Sequence, residues 1–228
     1  MAYNYLDLVN EVNRRLNEVE LTSTGFDSVI GFQATIKDAV NASLRDINHS
    51  HYEWPFNFVV GEDTLSVGTT RYAFPTDANT IDFDSFRIKK NSTYGNETKL
   101  LKLISYDDYL KNYISQEYDS SKIDIPTMVF HAPGNEYGVS PAPDNSYEVV
   151  YEYYRIPVDL EKYYDVPALP ERFKHVIVEG AMYHAYMFRS NEQAASIAKS
   201  KFEDGIKKMR IMLINENDYM RSTVISRG

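Results

Sequence analysis

The sequence predicts an α+β protein in which a four-helix bundle, built from an N-terminal and a C-terminal helix pair, carries an inserted β-rich, sandwich-like domain. Apolar residues recur every three or four positions near both ends of the chain, which is typical of amphipathic helices. Between them, short alternating runs are separated by Gly, Pro, Asn and Asp, which is typical of strands and turns. We therefore predict a helix pair at 1–52, a β-rich insertion at 53–166, a helical hairpin at 167–214 and an extended tail at 215–228.

The first helix pair begins after Asn4, a residue that can cap a helix N-terminus. The apolar positions of the first helix are Tyr5, Leu8, Val9, Val12, Leu16 and Val19. A turn at 21–26 separates it from a second helix over 28–48, whose inward positions are Phe32, Ile36, Ala39, Val40, Leu44 and Ile47. Each helix is therefore expected to bury one face.

Seven strands and one short helix are predicted in the insertion. The strands are Phe56–Val60, Thr70–Phe74, Ser85–Lys89, Lys99–Ile104, Met128–His131, Tyr137–Ser140 and Tyr147–Ile156. Ser105 can cap a helix over 106–114, where Asp107 and Asp108 favour the first turn. We expect loops at 75–86, 115–124 and 133–135 because polar and turn-forming residues dominate there. The first loop overlaps the predicted strand Ser85–Lys89 by two residues.

The last of these strands carries apolar or aromatic groups on both faces. Tyr147, Tyr151 and Tyr153 point to one face, while Val150 and Tyr154 point to the other. We expect one face to meet the domain core and the other to meet a neighbouring molecule. The chain has 19 tyrosines, and tyrosine favours interfaces that are apolar on one side and wet on the other.

The C-terminal hairpin has the most regular pattern in the chain. Its first helix is expected to begin at Pro170, because proline loses nothing there by lacking an N–H group. The apolar positions of this helix are Phe173, Val176, Ile177, Ala181, His184 and Phe188. Ser190 and Gln193 form a predicted capping box for the second helix, whose apolar positions are Ala194, Ile197, Ala198, Phe202, Ile206, Met209 and Leu213. So short a connection predicts two antiparallel helices, and Gly180 and Ala181 would allow a close approach.

Composition excludes several classes of function. With 33 acidic and 24 basic residues the chain carries a formal net charge of −9, which disfavours binding to nucleic-acid phosphates. The absence of cysteine removes disulfides, thiol catalysis and thiolate metal sites. No apolar run reaches the roughly 18 residues of a membrane span, so we expect a soluble, non-secreted protein.

Two sets of histidine-containing positions are candidate sites of chemistry. His49, His51 and Glu53 could each bind a metal, but their spacing matches no zinc pattern. His175 and His184 have no nucleophile or paired acid beside them, so we expect packing roles. We therefore expect neither a metal nor a cofactor.

Acidic residues leave one enzymatic alternative open. The relevant carboxylates are Glu62, Asp63, Asp77, Asp82 and Asp84, which would suit a carboxylate-dependent hydrolase. The stretch lacks the glycine and terminal glutamate of an EF-hand loop, so calcium binding is not indicated. The sequence also contains no G-x-S-x-G, Walker or Rossmann motif.

The C-terminal hairpin also carries a resemblance to a known family. The segments PERF-x-H-x-IVEGA, AYMFR-x-x-EQA and F-x-x-GI-x-x-M resemble the helical part of the head-to-tail adaptor proteins of short-tailed bacteriophages, also called tail tubular protein A. The resemblance covers about a quarter of the chain closely. It implies a non-enzymatic ring protein, dodecameric, that joins the portal protein to the tail nozzle protein and lines the channel for viral DNA.

The resemblance also implies where the protein acts, and the residue pattern suggests which side chains make the contacts. It places the protein in the virion tail, below the portal vertex, after synthesis in the host cytoplasm. We expect the tail to be mobile in the free subunit and to bind the portal through Tyr219, Met220, Arg221, Val224, Ile225 and Arg227. We expect Tyr147, Tyr151 and Tyr153 to contact subunit neighbours or the nozzle. The alternatives are a cell-wall hydrolase that uses carboxylates and a stand-alone α+β binding domain.

Overall fold

A computed structural model describes residues 3–51, 53–92 and 95–214, with side chains throughout except at 90–97 and 120. These residues form six α-helices and two four-stranded sheets, so the predicted α+β class is confirmed. They divide into two compact units. The helical unit contains the described residues of Met1–Asn57 and Pro157–Gly228, and the β unit is Phe58–Ile156.

The helices and strands are numbered in chain order. The helices are α1 (Tyr5–Arg15), α2 (Phe32–Ser50), α3 (Tyr106–Asn112), α4 (Ile114–Glu117), α5 (Lys174–Phe188) and α6 (Glu192–Leu213). The strands are β1 (Phe58–Leu65), β2 (Arg71–Ala73), β3 (Ala78–Ser92), β4 (Gly95–Leu100), β5 (Lys102–Leu103), β6 (Met128–Ala132), β7 (Glu136–Ser140) and β8 (Tyr147–Arg155).

Helix α1 begins where the sequence predicts and ends earlier. The Asn4 side chain accepts a 2.8 Å hydrogen bond from the Asp7 N–H group, and the Asp7 carboxylate accepts one from the Asn4 N–H group. This reciprocal capping box satisfies two N–H groups that the helix itself leaves unpaired. The chain leaves the helix after Arg15, and Asn17 adopts a positive φ of 57°. Val19 is therefore 76% exposed, so the prediction that it faces inward was wrong.

The starts of α2, α5 and α6 differ from prediction by one to four residues. Helix α2 begins at Phe32 rather than near residue 28, because Gly31 has a φ of 66° that breaks the helical path. A 3₁₀ turn over Glu171–Phe173 precedes α5. The cap of α6 is Asn191, whose side chain accepts the Ala194 N–H group at 3.2 Å, and not Ser190.

One hydrophobic core holds the helical unit together. Its buried side chains from the four long helices include Tyr5, Leu8, Val12, Ile36, Val40, Ile47, Val176, Ile177, Ala181, Phe202 and Met209. Helix α5 approaches α2 and α6 at Gly180, where an added Cβ would lie 2.2 Å from Ser43 Oγ and 2.7 Å from the Phe202 ring. Two predicted inward residues, Phe188 and Ile197, are instead 63% and 56% exposed.

The segment 158–166, here called the strap, belongs to the helical unit rather than to the insertion. The Asn41 side chain forms two 3.0 Å hydrogen bonds with the backbone of Leu160, one as donor and one as acceptor. The N–H group of Tyr5 donates to the Asp165 carbonyl at 2.8 Å. These bonds fix the strap against α1 and α2, and they explain why the structural insertion is shorter than the predicted 53–166.

The β unit contains two sheets. Sheet A has the order β1-β8-β3-β4 with antiparallel neighbours, and sheet B has the order β2-β7-β6-β5, in which only β5 and β6 run parallel. Strand β3 begins at Ala78, so most of the predicted loop at 75–86 is strand. The short helix α3 is capped as predicted, because Ser105 Oγ accepts the Asp108 N–H group at 3.1 Å.

Side chains from both sheets share one core. The buried members are Leu65, Phe74, Phe86, Ile88, Leu101, Val129, Tyr137, Val139, Val149, Tyr151 and Tyr153. Glycine is required on β7 at Gly138, where an added Cβ would lie 2.1 Å from the Phe130 ring. Because these aromatic side chains pack against one another, the β unit has a hydrophobic core of its own.

Candidate contact surfaces

The three tyrosines predicted to contact other subunits lie on the inner face of β8. Tyr151 is completely buried and Tyr153 is 5% exposed. The Tyr151 ring stacks on Phe86 with a centroid distance of 4.7 Å. Neither ring is accessible on the surface of the free chain, which corrects the expectation for these two residues. Tyr147 is half-buried, and its hydroxyl donates to Asp144 Oδ1 at 2.7 Å.

Two of the five candidate carboxylates, Asp63 and Asp77, accept hydrogen bonds from tyrosines of the β-unit core. Oδ2 of Asp63 accepts hydrogen bonds from the hydroxyls of Tyr137 at 3.0 Å and Tyr151 at 2.9 Å. Burial raises the pKa of both hydroxyls above the ordinary 10.0, and the Asp63 carboxylate raises it further. Asp77 accepts from the Tyr153 hydroxyl at 3.3 Å. Within the described β unit these carboxylates act as anchors for buried tyrosines.

Glu117 forms a second polar centre in the β unit. Its carboxylate accepts the hydroxyls of Tyr109 at 2.7 Å and Thr70 at 2.9 Å, and it pairs with Arg71 at 3.4 Å. Burial tends to raise the pKa of Glu117, but the hydrogen bonds from Tyr109 and Thr70 and the charge of Arg71 outweigh it and lower this pKa. The centre ties α3 and α4 to β2.

The outer face of sheet A carries exposed apolar residues beside an ion-pair cluster of Lys89 with Glu62 and Glu148. Phe58, Val60 and Leu100 are 39%, 54% and 56% exposed. The Phe58 ring lies 5.0 Å from the Tyr154 ring, measured between centroids. The apolar residues on the second face of β8 were the sequence signal for this surface, although the sequence did not say which face was the core.

The candidate histidines lie in different local environments. The described residues hold no group of three His, Cys, Asp or Glu side chains that could bind a metal ion. His51 packs against Trp54 with a ring distance of 5.3 Å. Nε2 of His184 lies 2.9 Å from Asp46 Oδ2 and joins α5 to α2, so the expectation that no acid lies beside it was wrong. His175 is exposed, so its expected packing role was wrong as well.

The helical unit has a shallow groove between α1, α5 and α6, with a volume of about 310 Å³. Met182, Tyr186 and Ala198 form part of its lining. An ion pair between Arg15 and Glu179 at 2.7 Å borders it, and Lys201 is also part of the lining. The groove contains no arrangement of nucleophile and base.

The predicted portal-binding residues Tyr219, Met220, Arg221, Val224, Ile225 and Arg227 lie outside the described residues. The described chain reaches Ile214, directly after α6. Among the described helices, none combines the length and apolar character needed to cross a membrane.

These observations define a class of protein. The chain is an α+β protein whose candidate sites are contact surfaces, and the carboxylates of Asp63 and Glu117 accept structural hydrogen bonds from tyrosines. More specifically, it belongs to the SU10 adaptor protein family, whose model matches residues 3–227. The predicted resemblance to phage head-to-tail adaptors is thereby confirmed. A comparison with curated proteins found no match.

Family membership gives the chain a structural role as a bacteriophage adaptor. It also makes the chain a component of the virion that associates with other head and tail proteins. The match includes the β unit and the tail as well as the C-terminal hairpin that carried the resemblance.

Proposed function

We propose that the chain is a head-to-tail connector that forms a dodecameric ring between the portal protein and the tail nozzle protein. The observation that carries this proposal is the family match over residues 3–227. In the ring, α1, α2, α5 and α6 serve as a four-helix bundle, and the two sheets serve as a sandwich that presents contact surfaces.

The ring lines the channel through which viral DNA passes during ejection. Twelve copies with a charge of −9 give 12 × (−9) = −108 formal charges. An acidic wall repels the DNA phosphates, so DNA slides past without sequence-specific binding.

The tail at 215–228 attaches the ring to the portal. Its apolar anchors are Tyr219, Met220, Val224 and Ile225, and its cations are Arg221 and Arg227. An extended segment can add a strand to a sheet edge or lie in a groove of the partner. Many tails acting together raise the local concentration of each, which makes attachment of the ring long-lived.

The outer face of sheet A provides the contact with subunit neighbours or the nozzle. Phe58, Val60 and Leu100 supply its exposed apolar groups. Tyr147, half-buried on the opposite face of β8, remains a candidate for a separate contact. Tyr151 and Tyr153 contribute indirectly, because their burial sets the position of β8.

The proposal is tested by mixing the purified full chain with its purified portal ring. We expect mass photometry to show one complex at the mass of portal plus twelve chains, and negative-stain images to show a second ring below the portal. The chain alone and the portal alone are the controls. A chain that leaves the portal mass unchanged, or that binds without forming a ring, contradicts the proposal.

A further inference from the structure

We propose that the outer face of α6 in one copy of the chain binds the strap of the next copy. This contact rests on the ring proposed above and identifies the surfaces through which neighbouring subunits meet. Three observations carry it: the exposure of both surfaces, their opposite charge, and their positions on opposite sides of the helical unit.

The outer face of α6 combines exposed apolar and basic residues. Ile197 and Ile211 are 56% and 71% exposed, on the side of the helix away from the buried Phe202. Lys201 and Lys207 lie on the same side, and neither forms an ion pair with any described residue. Lys208 pairs with Asp204 at 2.6 Å. With Lys201, Lys207 and Lys208 against Glu203 and Asp204, this face carries a net charge of 3 − 2 = +1 on a chain of −9.

The strap has the complementary character. Val158, Tyr164 and Val166 are 81%, 58% and 50% exposed. Three acidic residues and one lysine in 158–166 give a net charge of 1 − 3 = −2. Of the three carboxylates, Asp159 pairs with Arg45 and Asp165 accepts two strap N–H groups, which leaves Glu161 without an ion pair among the described residues.

Helix α2 shows that the two surfaces lie on opposite sides of the unit. Ser43 faces α5, where its hydroxyl donates to the Ile177 carbonyl, and the Ser50 carbonyl accepts from Arg210 of α6. Asn41 and Arg45, which hold the strap, are each two positions from Ser43 and therefore about 200° around the helix. The strap thus covers the side of α2 that points away from α6.

Complementary surfaces on opposite sides of a subunit produce head-to-tail contacts. Such a contact repeats from copy to copy, and it closes into a ring when the rotation between neighbours allows. Opposite charges set the register between copies, while the exposed isoleucines, valines and Tyr164 supply the apolar area.

Charge reversal in the full chain tests this contact. Lys201→Glu with Lys207→Glu, and separately Glu161→Lys, are each expected to weaken self-association about tenfold in sedimentation velocity. The chain with all three substitutions carries reversed charges on both surfaces and should recover most of the wild-type association. Unchanged association in the double variant, or no recovery in the triple variant, overturns the assignment.

Cross-linking provides a second readout that does not depend on stable assembly. Because the chain has no cysteine, one copy can carry only Ile211→Cys and another only Tyr164→Cys. We expect a bis-maleimide to join the two copies, whereas Tyr118→Cys, at an 82% exposed residue of the β unit, should not replace Tyr164→Cys. Equal cross-linking with both, or none, contradicts the proposal. If every variant still forms normal rings on the portal, this contact alone is overturned. If the wild-type chain forms no ring, the proposed function is overturned.

Discussion

The Tyr151 hydroxyl donates a 2.9 Å hydrogen bond to Oδ2 of Asp63, and the same oxygen accepts a second bond from Tyr137. Asp63→Ala therefore leaves two hydroxyls of the β-unit core without their acceptor. A buried polar group that loses its partner costs about 1–3 kcal/mol, so we expect the free energy of unfolding to fall by about that amount.

Urea unfolding of the β unit in the full chain measures this loss. The matched control is Glu62→Ala on the neighbouring residue, whose side chain is 62% exposed and pairs with Lys89. Exposed ion pairs contribute about 0–1 kcal/mol, so the control should change stability less. Equal losses in the two variants would contradict the assigned role of Asp63.

Phe202→Ala is expected to destabilise the helical unit by about 3–5 kcal/mol, because this ring is 6% exposed and lies against Gly180. Ile197→Ala on the same helix is the control, since Ile197 is 56% exposed and should cost about 0.5 kcal/mol or less. Thermal and chemical unfolding followed by circular dichroism checks both. A loss below about 1 kcal/mol for Phe202→Ala would place the ring at the surface.

Alkaline pH is expected to destabilise both units. The pKa values of Tyr5, Tyr109 and Tyr151 are raised above the ordinary 10.0, mainly by burial. A raised pKa means that the unfolded chain loses these protons first, so the stabilisation is complete below pH 10 and declines as pH rises above it. Tyrosinate absorbance should show these groups ionising together with unfolding. Their ionisation at pH 10 in the folded protein would contradict the described burial.

Substitutions on the two faces of β8 and β1 should separate folding from assembly. Tyr151→Ala is expected to lower the melting temperature strongly, because the ring is completely buried. Val60→Asp, at a 54% exposed position on the outer face, should leave melting nearly unchanged and weaken ring or nozzle association. Mass photometry with the portal and nozzle, beside thermal melts, distinguishes the two. Normal assembly of the Val60→Asp variant would remove this face from the proposed interface.

Deletion of residues 215–228 is expected to abolish portal binding while leaving circular dichroism and melting nearly unchanged. The physical reason is that the described core of the helical unit is formed by residues up to Ile214. Replacement of Val224 and Ile225 by Asp in the full-length chain is the matched test of the apolar anchors. Retained portal binding by the truncated chain would contradict the proposed role of the tail.

Helical periodicity predicted the long helices well because each has one continuous buried face. The helix ends were harder to predict, because single backbone conformations decide them. The positive φ of Gly31 delays α2, and Asn191 caps α6 in place of Ser190. The strap was assigned to the wrong unit because its contacts with Asn41 and Tyr5 involve its backbone, which leaves no pattern in the side chains.

Alternation in β8 correctly predicted two apolar faces but could not identify the core. Only the three-dimensional structure shows that Phe86 and Asp63 lie over the Tyr151 face. The start of β3 was missed because Asp82 and Asp84 made a strand resemble a polar loop. Those carboxylates alternate with Ile81 and Phe83, which pack against the β-unit core.

The first strand of the β unit pairs with its last, so that Phe58 lies opposite Tyr154. Opposed residues of antiparallel strands are about 5 Å apart, so the chain enters and leaves this unit at nearly the same point. A domain attached at one point behaves as a removable cassette. Because its two ends lie close together, such a segment can be exchanged, enlarged or deleted during evolution. The helices before and after it can then still meet in the folded protein. The whole β unit is encoded by one contiguous segment, Phe58–Ile156, so a single replacement would exchange every surface of this unit at once.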